Sequence, residues 1–451
     1  MKHIVIIGGG ISGLSLLHYL SIKYYYRQDV DIRLLEKKDE TGGCIHSVAQ
    51  NGFLFEAGPN GFLSTKRKVQ ALRLVTELGL TDALLPANEN AAIRYISLKH
   101  KLHICPRNFK QLRETKLLTF FEKIRALADI FIPKGNNTLE SVFSFAERRL
   151  GRRMAEIFFD SAVTGVYAGE SSQMNMKEAF PQVYEAEQKC GSLLRGFPRM
   201  LGKPSKAEKP PQLFSFKRGM QEIIHALQKR FSDKISTKVS VEEIVRQGEQ
   251  FVIHTDNLQY TADEVFVCTP AYEAGRLLKN IDEEFPVFLK QINYASLAVV
   301  GLAYEKSRLQ DFPEGFGYLV PREEKSPVLG VLLENNVFPE RSPEKYCLLR
   351  MMIGGVRHPQ AVGLSRSEIV ARAKDELRKT LGITEEPSEV FYSPWNKAIP
   401  QYDRSYVLVK ESINGLLEKH PRLHLAANYR GGVSVSDCIE NAYQTAQKSS
   451  L

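Results

Sequence analysis

Long apolar runs are missing from this chain of 451 residues. A membrane-spanning helix needs roughly 18 or more consecutive apolar residues, so none is expected. The four apolar residues Ile4–Ile7 behind Lys2 are cut short by glycines, too soon for the core of a signal peptide. Cysteine is sparse and scattered: the six are Cys44, Cys105, Cys190, Cys268, Cys347 and Cys438, with no CxxC pair. That spacing excludes a disulfide framework and points to reduced thiols in a cytoplasm. The ten histidines have no zinc spacing, so no metal site is expected. No Ser-His-Asp or Cys-His set calls for nucleophilic catalysis. Low-complexity tracts and short repeats are absent, which excludes disordered and solenoid architectures. The net charge of +9 favours anionic partners. With no basic tail or RNA-binding signature, nucleic acid is not among those expected, which leaves an acidic membrane surface or a carboxylated substrate. The length calls for two or three domains.

What is present begins at the first strand. Ile4–Ile7 runs into Gly8, Gly9, Gly10, Ile11, Ser12 and Gly13, a G-x-G-x-x-G string, and a helical pattern follows over Leu14–Tyr24. In a dinucleotide site such glycines make a tight turn, admit a pyrophosphate to the backbone and let helix and strand pack closely. The pyrophosphate then sits on a helix N-terminus. A second strand, Asp31–Leu35, ends in Glu36, an acid placed to accept ribose hydroxyls. Just beyond it, Thr41-Gly42-Gly43-Cys44-Ile45 brings a glycine pair close to the cofactor, a pattern that points to FAD rather than NAD. Gly58-Pro59-Asn60-Gly61 reads either as a plain turn or as a backbone wall against a flavin.

These segments resemble the FAD-dependent amine oxidase superfamily, and the rest of the chain resembles the protoporphyrinogen oxidase family over nearly its whole length. The strings that carry the likeness are Ser144–Gly151, Thr164–Gly169, Gly315–Pro321, Val328–Val331, Ile399–Tyr402 and Leu425–Ile439. The resemblance implies an α/β protein. Its Rossmann-type, p-hydroxybenzoate-hydroxylase-like FAD-binding domain is assembled from residues 1–88, 212–283 and 408–451. A mixed α+β substrate domain follows at 284–407, and a helical, membrane-contacting domain is inserted at 89–211. It also implies that Gly8 to Gly13, Glu36, Lys37, Gly43 and Cys44 hold the ADP half of FAD, with Val241 bracketing the adenine. Gly58, Pro59, Asn60 and Gly61 would lie along the flavin, and Asn428, Tyr429, Gly432 and Val433 would close on it. One departure is Ala426-Ala427, where the family has Ala-Gly.

For the substrate, Arg94 matches the family's propionate anchor. A cationic anchor suits a broad apolar macrocycle with carboxylate tails. Phe316, Leu319, Leu332 and Met352 match the apolar residues that sandwich the ring, and Gly165 brings backbone close to it. The implied reaction is the six-electron oxidation of protoporphyrinogen IX, or of coproporphyrinogen III, with hydride passing to FAD and oxygen reduced to hydrogen peroxide. No acid or base is named, and His46 reads as a structural histidine. The alternatives are an amine oxidase, a carotenoid desaturase and a flavin protein without turnover. Over residues 113–127, Leu117, Phe121, Ile124 and Leu127 share a helical face beside basic residues, which suggests either a packed surface helix or one lying on an anionic membrane. A cytoplasmic protein on the inner face of the membrane, with a homodimer left open, completes the expectation.

Overall fold

The computed structural model describes residues 1–196, 211–309 and 311–451. A five-stranded parallel sheet lies at one end of the molecule. Its order is Ile235–Ser236, Val30–Leu35, Lys2–Ile7, Glu264–Val267 and Leu423–Leu425. Its strands come from three separated stretches of chain, so long-range pairing creates it. Both faces are covered. Ile4 and Ile6 pack with Leu14, Leu17 and Phe266 on one side. Val5 and Ile7 pack with Val265 and Val267 on the other. That explains the continuous apolar run where an alternating one would mark a half-exposed strand. A three-stranded antiparallel meander, Val241–Gln247, Gln250–Thr255 and Gln259–Ala262, adjoins this sheet.

The second large element is a seven-stranded mixed sheet. Its order is Glu389–Pro400, Tyr294–Glu305, Tyr346–Gly354, Val328–Leu333, Gly317–Leu319, Arg94–Leu98 and Lys101–Ile104. The period of two divides its side chains cleanly. Tyr318, Val331, Met351 and Val300 face a core closed by Ile369, Ala373 and Leu377 of the helix Arg366–Leu381. Their neighbours in the strands point the other way: Val299 and Leu329 pack with Ala168, and Ala303 and Leu348 with Phe53 and Phe55.

The segment expected to be a helical domain from residue 89 is corrected at its start. Arg94–Leu98 and Lys101–Ile104 are strands of the seven-stranded sheet, the first paired in parallel with Gly317–Leu319. After a short 3-10 turn at Glu89–Ala92, α-helices begin only at Phe109, and residues 197–210 lie outside the described residues. The helices pack around a buried ion cluster. Arg149 is fully buried and donates to the Asp129 carboxylate at 2.6 Å, to Glu187 at 3.3 Å and to the carbonyls of Ile132 and Gly191. The amphipathic helix is shorter than its periodicity suggests. It spans Phe120–Leu127, starting at a Thr119–Glu122 capping box, so Leu117 falls outside it and is buried. Among the described residues no helix is long and apolar enough to cross a membrane.

Candidate cofactor and substrate site

The glycine-rich turn joins Lys2–Ile7 to the helix Ile11–Lys23. A Cβ on Gly13 would overlap the carbonyl oxygen of Gly8, so only glycine lets this helix approach its strand so closely. Gly10 differs: a Cβ there would meet only the Gly43 Cα, at 3.9 Å, and open space otherwise. Gly42 donates its N–H to Gly9 O at 2.8 Å, which brings the second glycine pair onto the first. Gly43 and Cys44 are exposed there. The helix has no side-chain cap and no acid in its first turn. Its free N–H groups and dipole therefore point at a cradle floored by bare backbone, which suits a pyrophosphate.

Glu36 stands at the edge of this cradle, nearly buried. Its Oε2 accepts from Gly9 N–H at 2.7 Å and its Oε1 from Lys38 N–H at 2.9 Å. Lys37 is exposed beside it. Val239 N–H donates to Glu36 O at 3.0 Å, so Val241 arrives two residues away, at the start of the meander.

Further along, Gly58 cannot carry a side chain, since a Cβ would overlap the Cys44 carbonyl oxygen. The Asn428–Val433 segment is fixed from behind by tyrosines. Tyr402 OH donates to Asn428 O at 2.5 Å and accepts from Gly432 N–H at 2.9 Å; Tyr406 OH donates to Tyr429 O at 2.5 Å. The Tyr429 ring is wholly buried in the core, so only its main chain is left for a ligand. Ser434 and Asp437 form a capping box at the start of the helix Val435–Lys448. The methyls of Ala426 and Ala427 are absorbed into the two core clusters, so the departure from Ala-Gly is accommodated by packing. His46 is exposed and contributes only its carbonyl, which accepts from Ala57 N–H at 2.9 Å.

The register of the seven-stranded sheet brings the expected substrate residues together. Arg94, Gly317, Leu332 and Arg350 lie in one cross-strand row. Ile96, Leu319, Gly330 and Met352 lie in the next row on the same face. Gly165, on the helix Asp160–Tyr167, is seated against Leu319; a Cβ would come within 3.0 Å of its Cδ2. The Arg94 guanidinium is exposed and sits 4.8 Å from the centroid of the Phe316 ring. Among the described residues Arg94 has no carboxylate partner. An exposed cation without a carboxylate partner, beside an apolar surface, is chemically suited to an anion from outside the chain.

Sequence reasoning missed the group that joins the two halves of the site. Arg350 is buried and donates to Glu56 O at 3.0 Å and also to Gly58 O. Arg341 Nη1 lies 3.0 Å from Glu56 Oε1, with both side chains about 1% exposed. Asn60 Nδ2 donates to Glu334 Oε2 at 3.1 Å. The quartet Glu56, Glu334, Arg341 and Arg350 balances two negative charges with two positive ones. Burial pushes the Glu56 carboxyl up and the Arg350 guanidinium down, and the neighbouring opposite charges counter both shifts in part. One signal was available: Glu56, Arg350 and Glu334 interrupt strands or strand ends that are otherwise apolar, and such charges need partners.

The chain matches the family model described as flavin containing amine oxidoreductase over residues 11–448. Among curated relatives, the bovine protoporphyrinogen oxidase is 30% identical, covering 99% of this chain and 98% of the relative. A chloroplastic protoporphyrinogen oxidase of Arabidopsis thaliana is also 30% identical, over 98% and 87%. The coproporphyrinogen III oxidase of Bacillus subtilis is 28% identical, over 97% and 96%. A crystal structure from Exiguobacterium sp. 255-15, provisionally described as a protoporphyrinogen oxidase, superposes with a TM-score of 0.83 at 24% identity, covering 99% and 98%. The chain therefore belongs to the protoporphyrinogen oxidase family of flavin containing amine oxidoreductases, as an FAD-dependent enzyme.

Proposed function

We propose that the chain oxidises a porphyrinogen to a porphyrin in heme biosynthesis, with protoporphyrinogen IX as its substrate and coproporphyrinogen III as the alternative. The observation that carries this reading is the sheet register, which sets the unpaired Arg94 on the same face as Leu319, Leu332 and Met352. A cation at the margin of an apolar plane is complementary to a macrocycle with carboxylate tails. Gly8 to Gly13, Glu36, Gly43, Cys44 and Val241 would hold the adenosine and pyrophosphate of FAD; Gly58 to Gly61 and Asn428 to Val433 would hold its ring. When bound, FAD supplies the acceptor for the hydride lost from a methylene bridge, with molecular oxygen as the terminal acceptor.

The protein's part is orientation and exclusion of water. Arg94 fixes the macrocycle by one propionate. Leu319, Leu332, Met352 and Phe316 give it an apolar bed, and Gly165 leaves room for its edge. The buried quartet holds the wall segment 56–60 in register with that bed. The test is porphyrin fluorescence formed aerobically by the purified holoenzyme from each porphyrinogen. Faster oxidation of one than in the enzyme-free control identifies the substrate; no acceleration with either, despite bound FAD, refutes the reading.

We also propose that the helical segment rests on an anionic membrane surface. Supporting this, Phe120, Phe121 and Phe131 are 70%, 79% and 81% exposed, and Ile124 and Leu127 adjoin them. Exposed aromatics of this size next to Arg113, Lys116 and Lys123 match an interfacial helix. Flotation with vesicles containing anionic lipid tests it.

A further inference from the structure

Asn60 is held on one side only. Its Nδ2 donates to Glu334 Oε2 at 3.1 Å, and a carboxylate can only accept, so this contact fixes which way round the amide stands. Its Oδ1 is then left buried without a hydrogen-bond partner among the described residues, as is Glu334 Oε1 beside it. An unpaired buried amide oxygen is unfavourable, so a retained one at the edge of a site is a candidate for a donor supplied from outside the chain. Glu334 is itself 2% exposed, and it follows directly on Leu332 and Leu333 at the end of a strand of the substrate face. Arg350, in the cross-strand row of Leu332, ties Gly58 and Glu56 to the same face. The Asn60 amide is thus anchored at the seam between wall and bed. Glu334, Glu56 and Arg350 line a cavity of about 10 Å³, about the size of one water.

We infer that Glu334 is a positioning residue that orients the Asn60 amide, so that Asn60 Oδ1 accepts a pyrrole N–H of the porphyrinogen. This inference rests on the porphyrinogen reading above. The chemistry matches the substrate and not its product. A porphyrinogen is non-planar and presents four pyrrole N–H donors to its surroundings. A porphyrin is planar and turns its two remaining N–H groups inward. One amide acceptor on a rigid wall therefore favours the reduced macrocycle and lets the oxidised one go.

The experiment is a double-mutant cycle on the FAD-loaded enzyme with E334A, N60A and the pair, alongside E334Q. The readouts are KM for the porphyrinogen, binding of the porphyrin product by Soret titration, and the flavin absorbance band. We expect E334A and N60A each to raise KM about tenfold, the double variant to do no worse than either, and product affinity to stay within twofold. E334Q still offers an amide oxygen to Asn60 Nδ2 and recovers most of KM, which keeps the test sharp if E334A folds poorly. Additive effects, or product affinity falling with KM, would mean that Glu334 only supports the fold and overturn the inference. Loss of the flavin band in N60A alone would assign Oδ1 to the cofactor instead, and also overturn it. An active wild-type enzyme with an unchanged N60A overturns only this inference, whereas an inactive wild-type enzyme removes the porphyrinogen reading itself.

Discussion

Arg94→Ala separates binding from folding in a way that few substitutions in this molecule can. In the free protein Arg94 pairs with no carboxylate among the described residues, and its one strong contact is the face of Phe316. Its removal therefore leaves no buried charge behind. The expected change in stability is within about 0.5 kcal/mol, which differential scanning fluorimetry reads as a nearly unchanged Tm. In the proposed substrate complex the guanidinium faces a propionate. Such a charge-assisted, two-pronged contact is worth about 1.5–3 kcal/mol, so kcat/KM falls by about 10- to 100-fold. Arg94→Lys keeps a point charge without the planar fork and falls between the two. The decisive comparison uses a porphyrinogen with esterified propionates. Wild type and Arg94→Ala should process it at similar rates, because the partner of Arg94 is gone. If Arg94→Ala loses activity equally on the free acid and the ester, or if Tm falls by many degrees, the arginine is a structural residue and the anchor assignment fails.

The glycine cradle yields a contrast of its own. Gly10→Ala meets no protein atom closer than 3.9 Å, so the apoprotein should keep its Tm while FAD affinity drops at least tenfold by fluorescence titration; Gly13→Ala overlaps the Gly8 carbonyl and should destabilise the apoprotein outright. Replacing Phe120, Phe121 and Phe131 with serine should abolish flotation with anionic vesicles and leave turnover of detergent-solubilised substrate within twofold. His18 carries a pH dependence. It is fully buried, its Nε2 meets Glu77 Oε2 at 2.6 Å, and burial outweighs that partner to lower its pKa below 6.5. The unfolded chain therefore binds the proton more readily. The stability contributed by a neutral His18 is complete above pH 6.5 and is lost as pH falls below it. Tm measured from pH 7.5 to about 5 should decline less steeply in His18→Gln than in wild type, and parallel curves would refute the assignment.

Local chemistry made some of this legible in advance. The first strand, the glycine turn, the helix and Glu36 are contiguous in sequence, and each carries a local signal: an apolar run, missing side chains, helical periodicity, an acid at a strand end. The helix at Phe120 was legible too, but its start was not. Thr119 and Glu122 cap it, and that closure sends Leu117 into the core instead of onto the amphipathic face. Arg94 was visible as a candidate because a family pattern pointed to it; its place in a sheet rather than a helical domain was not, since a parallel pairing with Gly317–Leu319 spans more than two hundred residues of chain.

By itself, then, the sequence determined the turn that opens the nucleotide-type sheet, because the overlap that only glycine avoids at Gly13 is with the carbonyl of Gly8, five residues back in the same turn. Tertiary structure alone decided the proposed substrate face. Arg94, Leu319, Leu332 and Met352 acquire a common face only when four strands from distant parts of the chain settle into one register, and a slip of one residue would turn any of them to the opposite side. The same holds for Glu56, Glu334, Arg341 and Arg350. Each is an unfavourable burial on its own, and only their mutual approach in the folded chain makes the charges tolerable and fixes the wall against the bed.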